Sequence, residues 1–294
     1  MRRWVQAASA LLQNAYWAFP WTRTLYQGPL KKFCTPGLNC YSCPAAVLAC
    51  PLGTLQHFLA GWRPALRWGT YRLGFYVFGF LAAVGLLGGR AACGWLCPFG
   101  FLQEGLHRIP SPKFRVPRIL GGLRYAVLAV FAVGLPLLLT GPMGYGEPWF
   151  CRAVCPAGTL EAGGLFFLMP ALQEQIGLWL WIKIGLLAGV LGWAVVAYRP
   201  YCRTLCPLGA IYGMLNRWSL LRVDHDPDLC TECGRCVEAC RVGLDPRREP
   251  DRAACLRCLT CATQACPTGA LTAAVGSRRL ERKTPCAPPS TPGS

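Results

Sequence analysis

The sequence predicts a mainly α-helical protein with a four-helix transmembrane core, built from a duplicated two-span unit, and a small C-terminal α+β domain. Three observations support this fold class. The 294 residues are 53% hydrophobic and only 15% charged, with a mean hydropathy of +0.33, which is too apolar for an ordinary soluble domain. Several apolar stretches approach the length of a membrane helix. The 19 cysteines fall into groups with regular spacing.

Four apolar stretches are candidate membrane helices, which need about 20 apolar residues. The first includes polar residues such as Gln6 and is the least apolar, the third contains Pro136, and the fourth contains Lys183 near one end. A membrane helix tolerates proline, and a lysine near its end can reach the interface. One such stretch could be a buried core helix, but four in succession favour a membrane domain. The predicted spans are residues 4–22, 73–89, 125–143 and 176–198.

Loop charges indicate the orientation. Residues 144–175 contain one basic and three acidic residues, whereas residues 90–124 contain six basic residues and one acidic residue. Basic loops face the cytoplasm, so residues 90–124 are predicted to be cytoplasmic and residues 144–175 external. The first loop is basic although the number of spans places it outside. We predict a multi-pass protein whose N- and C-termini are cytoplasmic.

The formal net charge of +17 could suggest a nucleic-acid partner. The basic residues, however, flank apolar runs, as in loops that face anionic lipid headgroups. No stretch interleaves basic and aromatic residues in the manner of a nucleic-acid-binding surface. We therefore expect the lipid bilayer as a partner and no nucleic acid.

An internal repeat organises the membrane domain. Four Cys-Pro-x-Gly turns begin at Cys50, Cys97, Cys155 and Cys206, and the last three are preceded by a cysteine four residues earlier. The first and third turns are 105 residues apart, and the second and fourth are 109 residues apart. A two-span unit with one such turn at each membrane face has therefore been duplicated. The halves of a parallel repeat pair about an axis along the membrane normal.

This pairing predicts a four-cysteine site at each membrane face. Proline suits the first helical position, and a helix N-terminus offers N–H groups and a positive dipole to an anionic thiolate cluster. The alternatives are small apolar cysteines at helix contacts and, for the external site, disulfides. The cytoplasmic site consists of Cys93, Cys97, Cys202 and Cys206. The external site consists of Cys50, Cys151, Cys155 and one of Cys34, Cys40 and Cys43, of which we choose Cys43.

Two cysteine runs follow the membrane domain. Cys230-x2-Cys233-x2-Cys236-x3-Cys240 is the bacterial ferredoxin run, and Cys255-x2-Cys258-x2-Cys261-x4-Cys266-Pro267 is a second copy. The fourth cysteine of each run ligates the other cluster. Zinc is the alternative, but three ligands at successive x2 spacings, twice over, favour a cubane. One cluster is assigned to Cys230, Cys233, Cys236 and Cys266, and the other to Cys255, Cys258, Cys261 and Cys240.

These runs set the predicted domains and cofactors. Residues 1–222 form the transmembrane domain, residues 223–276 the ferredoxin-like domain, and residues 277–294 a disordered tail rich in proline and serine. Two [4Fe-4S] clusters are predicted in the ferredoxin-like domain, a third at the cytoplasmic face of the membrane and a fourth at the external face. Cys286, alone in the tail, is not expected to be a ligand.

The membrane motifs Cys93-Gly-Trp-Leu-Cys97-Pro and Cys202-Arg-Thr-Leu-Cys206-Pro, followed by the double run, resemble the NapH, NosR and CcoG polyferredoxin family. The resemblance covers about residues 70–275. It implies a bacterial inner-membrane location and electron exchange with the quinone pool or a redox partner protein.

We therefore predict a membrane-bound electron carrier that relays electrons between a soluble redox partner and quinone or another membrane or periplasmic acceptor. The sequence contains no recognisable catalytic constellation, which leaves an enzymatic role, as a quinone oxidoreductase subunit, open. Faces about 30 Å apart are too distant for one electron hop, so a mobile quinone between them is the simplest hypothesis. The alternatives are a factor for metal-centre assembly or metal reduction, and transmembrane thiol exchange through Cys151 and Cys155.

Overall fold

Helices dominate the computed structural model, which describes residues 1–22, 24–69, 72–142, 144–168, 177–249, 252–276 and 278–280. Short 3₁₀ or π-helical turns supplement the longer elements at Pro29–Lys32, Phe150–Val154, Asn216–Trp218 and Cys261–Ala265. The helices are α1 (Arg2–Gln13), α2 (Phe19–Thr22), α3 (Pro51–Ala60), α4 (Trp62–Arg67), α5 (Arg72–Gly88), α6 (Ala91–Trp95), α7 (Pro98–Leu106), α8 (Arg118–Leu138), α9 (Pro156–Leu168), α10 (Leu178–Val196), α11 (Pro200–Thr204), α12 (Pro207–Leu215) and α13 (Arg235–Glu238).

Two helices in the described part of the chain, α8 and α10, are long and apolar enough to cross a membrane. Each has a mean hydropathy of 1.8, yet only 22% of α8 and 17% of α10 is buried within the protein. A core helix of a soluble protein would be mostly buried, so this exposure fits a lipid-facing helix. The helix α5, with 17 residues, is apolar but shorter. The predicted four-helix transmembrane core is therefore reduced to two candidate spans and one shorter apolar helix.

The first predicted span is wrong, because α1 has 12 residues and ends at Gln13. Its polar residues face inward: the Gln6 amide donates to the Gly94 carbonyl at 3.0 Å, and the Gln13 amide donates to the Leu96 carbonyl at 2.9 Å. Its apolar residues face outward, and Trp4 is 81% exposed. The glutamines that make this segment the least apolar candidate span thus donate to carbonyl groups of the Cys93–Cys97 segment.

Each Cys-Pro-x-Gly turn begins a helix, as predicted. Cys50, Cys97 and Cys206 cap α3, α7 and α12, and the proline occupies the first helical position. Proline lacks a backbone N–H, and at the first helical position no hydrogen bond of the helix depends on that N–H. The thiols therefore lie at helix N-termini, and α3 and α12 both pack against α5.

The C-terminal domain contains a three-stranded antiparallel sheet in the order β1-β2-β3. The strands are β1 (Leu221–His225), β2 (Leu271–Val275) and β3 (Arg278–Leu280). The pairs Val223 with Ala273 and Ala273 with Leu280 define the register. The predicted disordered tail begins too early, because residues 278–280 form an edge strand. The rest of that tail, residues 281–294, lies outside the described residues.

Candidate metal centres

The C-terminal domain brings the eight cysteines of its two runs together in the predicted crossed arrangement. Cys230, Cys233, Cys236 and Cys266 line one small cavity, which we name the first ferredoxin site. Cys240, Cys255, Cys258 and Cys261 line another, the second ferredoxin site. The helix α13 contains Cys236 of the first site and ends just before Cys240 of the second, so the two sites are about one helical turn apart at this point.

The first ferredoxin site favours an anionic sulfur at Cys266. Burial by itself would raise the pKa of this thiol, but the backbone N–H groups of Leu271, Thr268 and Gly269 and the Thr268 hydroxyl together lower it. Hydrogen bonds to the charged form stabilise that form. The loop after Cys266 is therefore suited to a thiolate ligand.

The cysteines of the second and fourth Cys-Pro-x-Gly turns form one buried group, which we name the arginine site: Cys93, Cys97, Cys202 and Cys206. Their exposed fractions are 4–5%, and they interact electrostatically with one another. The N–H groups of Gly100 and Gly209 point at Cys97 and Cys206, each 3.4 Å from sulfur. The structure thus brings together the four cysteines predicted for the cytoplasmic site.

Two fully buried arginines connect the two halves at this site. The Arg90 guanidinium donates to the Cys202 carbonyl at 2.6 Å, and the Arg199 guanidinium donates to the Cys93 carbonyl at 2.5 Å. Each arginine precedes the first cysteine of its own Cys-x3-Cys-Pro motif by three residues and donates to the backbone of the first cysteine of the other motif. The duplicated halves therefore pair about a pseudo-twofold axis through the site.

A buried carboxylate balances part of this charge. Glu104 lies 2.8 Å from the Arg199 guanidinium and 2.8 Å from that of Arg2, and it accepts the Tyr198 hydroxyl at 2.6 Å. Burial alone would raise the pKa of Glu104, but Arg199, Tyr198 and Arg2 together hold it below its usual value. Glu104 is therefore ionised and fixes Arg199 against the thiol group.

A second membrane-domain group, which we name the cavity site, consists of Cys40, Cys50, Cys151 and Cys155. These cysteines line a cavity of about 550 Å³. A Cβ built on Gly158 would lie 3.7 Å from the Cys40 sulfur and 3.8 Å from the Cys155 sulfur. The sulfurs therefore flank a common space that a side chain at Gly158 would fill.

The cavity site includes Cys40, whereas Cys43 is predicted from the sequence as its fourth ligand. The Cys40 N–H donates to the Glu161 carboxylate at 2.5 Å, which holds this residue at the cavity, whereas Cys43 does not line it. The loop closes through a bridge between Cys34 and Ala49, and Cys34 lies 3.7 Å from the Thr54 hydroxyl. The fold of this loop, which spacing does not determine, thus decides which thiol faces Cys50.

The two membrane-domain sites are neighbours, so the expected separation of about 30 Å is wrong. The Leu38 N–H donates to the Cys97 sulfur of the arginine site at 3.4 Å. Cys40 of the cavity site is two residues further along, and two residues span at most about 7 Å. The Cys40 nitrogen therefore lies within about 11 Å of the Cys97 sulfur. A diffusing carrier between these two sites is not needed.

The second ferredoxin site packs directly on the arginine site. Arg90 donates to the carbonyls of Ala253 and Ala254 at 3.1 and 3.3 Å, in addition to Cys202. The Asn216 amide donates to the Cys255 carbonyl at 2.9 Å. One guanidinium group therefore bridges the backbone beside Cys255 and the backbone of Cys202.

Sequence reasoning missed a set of polar residues six positions after each Cys-Pro-x-Gly cysteine. The Gln56 amide donates to the Cys151 sulfur at 3.2 Å, and the Gln103 amide donates to the Cys202 sulfur at 3.0 Å. Glu161 and Tyr212 occupy the corresponding positions in the second half. A polar side chain recurring at one position of every copy was the signal available in the sequence.

The chemistry of the four groups fits iron-sulfur clusters. None of the eighteen cysteines from Cys34 to Cys266 forms a disulfide. Burial raises the pKa of Cys97 to about 11 and that of Cys151 to about 12, so these thiols need a bound metal to become thiolates. Within the described ranges, no three His, Cys, Asp or Glu side chains converge closely enough for a single metal ion.

Family models identify the same segments. One model, described as a 4Fe-4S binding domain, matches residues 48–67, 73–117, 125–163 and 178–223, and a second with the same description matches residues 223–244. The first model covers half of the chain and includes the four Cys-Pro-x-Gly turns. The second includes the first ferredoxin run. These matches indicate [4Fe-4S] clusters.

Curated relatives are similar over most of the chain. It is 28% identical to the methylamine utilization ferredoxin-type protein MauN of Paracoccus denitrificans, over 66% of this chain and 61% of the relative. It is 26% identical to the putative electron transport protein YccM of Escherichia coli, over 63% and 50%, and 27% identical to the regulatory protein NosR of Stutzerimonas stutzeri, over 74% and 30%. The chain thus covers less than two thirds of each relative. No solved structure matches it.

Proposed function

This chain belongs to the family of ferredoxin-type 4Fe-4S electron-transport proteins that includes NosR and NirI, and from this premise we propose that it is a membrane-bound electron relay with four clusters. Bound clusters would supply one-electron carriers. The four cysteine groups described above would hold them. The relay would connect a soluble redox partner at the ferredoxin-like domain with an acceptor at the cavity site.

The observation that carries this proposal is the order of the four cysteine groups. The segment from Cys236 in α13 to Cys240 links the two ferredoxin sites. Arg90 links the second ferredoxin site to the arginine site, and Leu38 links the arginine site to the cavity site. Each group is therefore adjacent to the next. Electron transfer weakens steeply with distance, so this row defines one path with short steps.

The exposed end of the row is the first ferredoxin site. Cys233 is exposed, whereas the cysteines of the arginine site are buried. A soluble partner can approach an exposed cluster but not a buried one. We therefore place the contact with the soluble redox partner at the first ferredoxin site.

Surface chemistry supports the proposed membrane location. The helices α8 and α10 expose apolar side chains along most of their length, and α1 presents Trp4, Leu11 and Leu12 outward. Unpaired apolar surface of this extent marks a lipid or protein interface. We propose that these helices contact the bilayer of the bacterial inner membrane, with the ferredoxin-like domain in the cytoplasm.

A cluster at the cavity site would fill part of its volume of about 550 Å³, and a small-molecule acceptor would bind in the part away from the four cysteines. The whole cavity lies in the range of ligand pockets, roughly 300–1,000 Å³. Leu25 and Leu180 give it an apolar wall, and Tyr41, which hydrogen-bonds His57 at 2.5 Å, gives it a polar one. We propose a quinone as the acceptor, because an apolar ring with two polar oxygens matches this lining.

Thiol exchange through Cys151 and Cys155 is the less favoured function. Exchange needs an accessible thiol with a pKa near the ambient pH. Burial instead raises the pKa of Cys151 to about 12 and that of Cys155 well above its usual value. No observation in the described structure specifically favours a role in metal-centre assembly.

The decisive experiment is a count of iron and acid-labile sulfide in anaerobically purified protein, with an EPR spectrum after reduction. Four clusters give about sixteen irons per chain, and three give about twelve. About eight irons would restrict the clusters to the ferredoxin-like domain and refute the relay through the membrane domain.

The acceptor is tested separately. Full-length protein in detergent is mixed with a reduced soluble ferredoxin and a short-chain ubiquinone or menaquinone analogue, and quinone reduction is followed optically. Steady reduction that depends on Cys151 supports a quinone site. Clusters that become reduced while the quinone stays oxidised would leave the relay intact but exclude quinone as its acceptor.

A further inference from the structure

Two buried tyrosine hydroxyls, those of Tyr201 and Tyr212, have no hydrogen-bond partner among the described residues. Both side chains are 0% exposed. Buried hydroxyl groups almost always find a partner in native proteins. A partner that the polypeptide does not provide is therefore expected beside each of them.

Tyr201 lies between the arginine site and the cavity site. It directly precedes Cys202, and its ring packs edge-on against Phe99 at 5.4 Å between centroids. Its hydroxyl interacts electrostatically first with Cys155 of the cavity site, and then with Cys206 and Cys202 of the arginine site.

Tyr212 occupies the repeat position from which other side chains donate to cysteine sulfur. In the first half, the residues six positions after the turn cysteine are Gln56 and Gln103, and both donate to a sulfur across the pseudo-twofold axis. Gln103 donates to Cys202, so the symmetric residue Tyr212 is placed to serve Cys93. Its strongest electrostatic interaction is with Cys93.

We propose that the Tyr201 hydroxyl donates a hydrogen bond to a sulfur of the cluster at the cavity site, that the Tyr212 hydroxyl donates one to a sulfur of the cluster at the arginine site, and that both bonds raise the reduction potentials. The inference rests on the proposed function, because it requires clusters at both sites. A hydrogen bond to sulfur stabilises the more negative reduced state, and hydrogen bonding is one of the factors that set cluster potentials.

The two tyrosines would thus make the clusters at the arginine site and the cavity site easier to reduce than they would be without these hydroxyl groups. An apolar interior disfavours the extra negative charge that reduction adds. One hydroxyl at each site offsets this effect without adding a charge. Electrons entering at the exposed ferredoxin-like domain would therefore meet a smaller energetic barrier on the way to the cavity site.

The test is an EPR-monitored redox titration of the full-length protein and its Tyr201→Phe and Tyr212→Phe variants. Loss of Tyr201 should lower the potential of the cavity-site cluster, and loss of Tyr212 that of the arginine-site cluster. The expected change is roughly tenfold in the equilibrium constant for reduction, about 59 mV for one electron. The reduction potentials of the clusters at the two ferredoxin sites should not change. The control is Tyr145→Phe, since Tyr145 is 49% exposed.

Unshifted potentials in variants with the full iron content would overturn the inference while leaving the relay intact. About eight irons in the unsubstituted protein would overturn both. If a variant loses iron, ¹⁷O labelling of the tyrosine hydroxyls in the unsubstituted protein replaces the titration. Hyperfine coupling of ¹⁷O to the reduced membrane-domain clusters supports the hydrogen bonds, and its absence overturns them.

Discussion

At the scale of single residues, side chains that are not ligands determine whether the thiol groups can be buried. Arg90 and Arg199 are inside the protein with no exposed surface. Each of them donates to a cysteine carbonyl group of the opposite half, and Arg90 also donates to two carbonyl groups of the ferredoxin-like domain. The charge of Arg199 is matched by Glu104, which also binds Arg2 of α1. A buried ion pair of this kind is strongly destabilising when one partner is removed.

We predict that Glu104→Gln lowers the free energy of unfolding by roughly 3 kcal/mol, because Arg199 would remain buried without its counter-charge. The measurement is chemical or thermal unfolding in detergent. The matched control is Glu249→Gln, which breaks an exposed pair with Arg252 and should change stability by less than about 1 kcal/mol. Equal effects of the two substitutions would contradict this account of Glu104.

The same carboxylate makes the stability of the protein depend on pH. Since the folded-state pKa of Glu104 is below its usual value, its contribution to the free energy of unfolding is fully present above the unfolded pKa, near 4.3. It is lost as the pH falls through the folded pKa. Part of the acid sensitivity between these two values should therefore disappear in Glu104→Gln.

Cys40 and Cys43 provide a matched pair for the ligand assignment. We predict that Cys40→Ser removes about four irons per chain, because the cavity site loses one of its four thiols, whereas Cys43→Ser retains them. Iron analysis and the EPR spectrum of both variants measure this. Loss of iron from Cys43→Ser with retention in Cys40→Ser would restore the ligand set chosen from the sequence.

At the scale of elements, the short helix α6 is one of the places where the ferredoxin-like domain contacts the membrane domain. Trp95 donates its indole N–H to the Arg257 carbonyl at 3.0 Å. A Cβ built on Gly94 would lie 2.4 Å from the Leu256 carbonyl oxygen. This contact leaves no space for a side chain, so glycine sets the distance between the second ferredoxin site and the arginine site.

We predict that Gly94→Ala pushes the 252–257 segment outward, costs about 1–3 kcal/mol through overpacking, and slows electron transfer from the ferredoxin-like domain to the arginine site. Stopped-flow reduction by a soluble donor, read at the membrane-domain clusters, measures the rate. Gly105→Ala is the control, because nothing lies within 4 Å of a Cβ there. Indistinguishable rates in the two variants would show that this contact does not control the transfer.

At the scale of the whole molecule, the surface around the two membrane-domain sites is unlike that of a soluble protein. The helices α8 and α10 leave most of their apolar length uncovered, and α1 is inverted, with glutamines inside and tryptophan and leucine outside. The polar loops and the ferredoxin-like domain carry most of the charge. In the proposed membrane arrangement, the thiol groups of the membrane domain would lie under an apolar belt and the first ferredoxin site would lie in water.

We predict that the protein behaves as an integral membrane protein. It should remain in the membrane fraction after washes with high salt and alkaline carbonate and should be released by detergent. Immunoblotting of the fractions measures this, with a known peripheral protein as the control. Release by salt alone would mean that the apolar helices are covered by a protein partner and do not face lipid.

Local features were predictable from the sequence. The resemblance to the NapH, NosR and CcoG family, carried by the cysteine turns, is confirmed. The crossed grouping of the ferredoxin cysteines and the helix starts at the Cys-Pro-x-Gly turns also agree with the structure, because both depend on spacings of a few residues. The prediction of a membrane span at residues 4–22 is wrong because hydropathy contains no information on whether a glutamine side chain donates to a carbonyl group elsewhere in the fold.

The sequence by itself determined the kind of cofactor, the duplication and the pairing of Cys93 and Cys97 with Cys202 and Cys206, because these follow from motifs and their repeat. Tertiary structure alone decided that Cys40 faces the cavity and that the two membrane-domain sites are neighbours. Both depend on how the loop from Cys34 to Cys50 packs against residues more than fifty positions away. Such long-range packing leaves no periodic signal in the chain, since it is set by the sum of many contacts between distant segments.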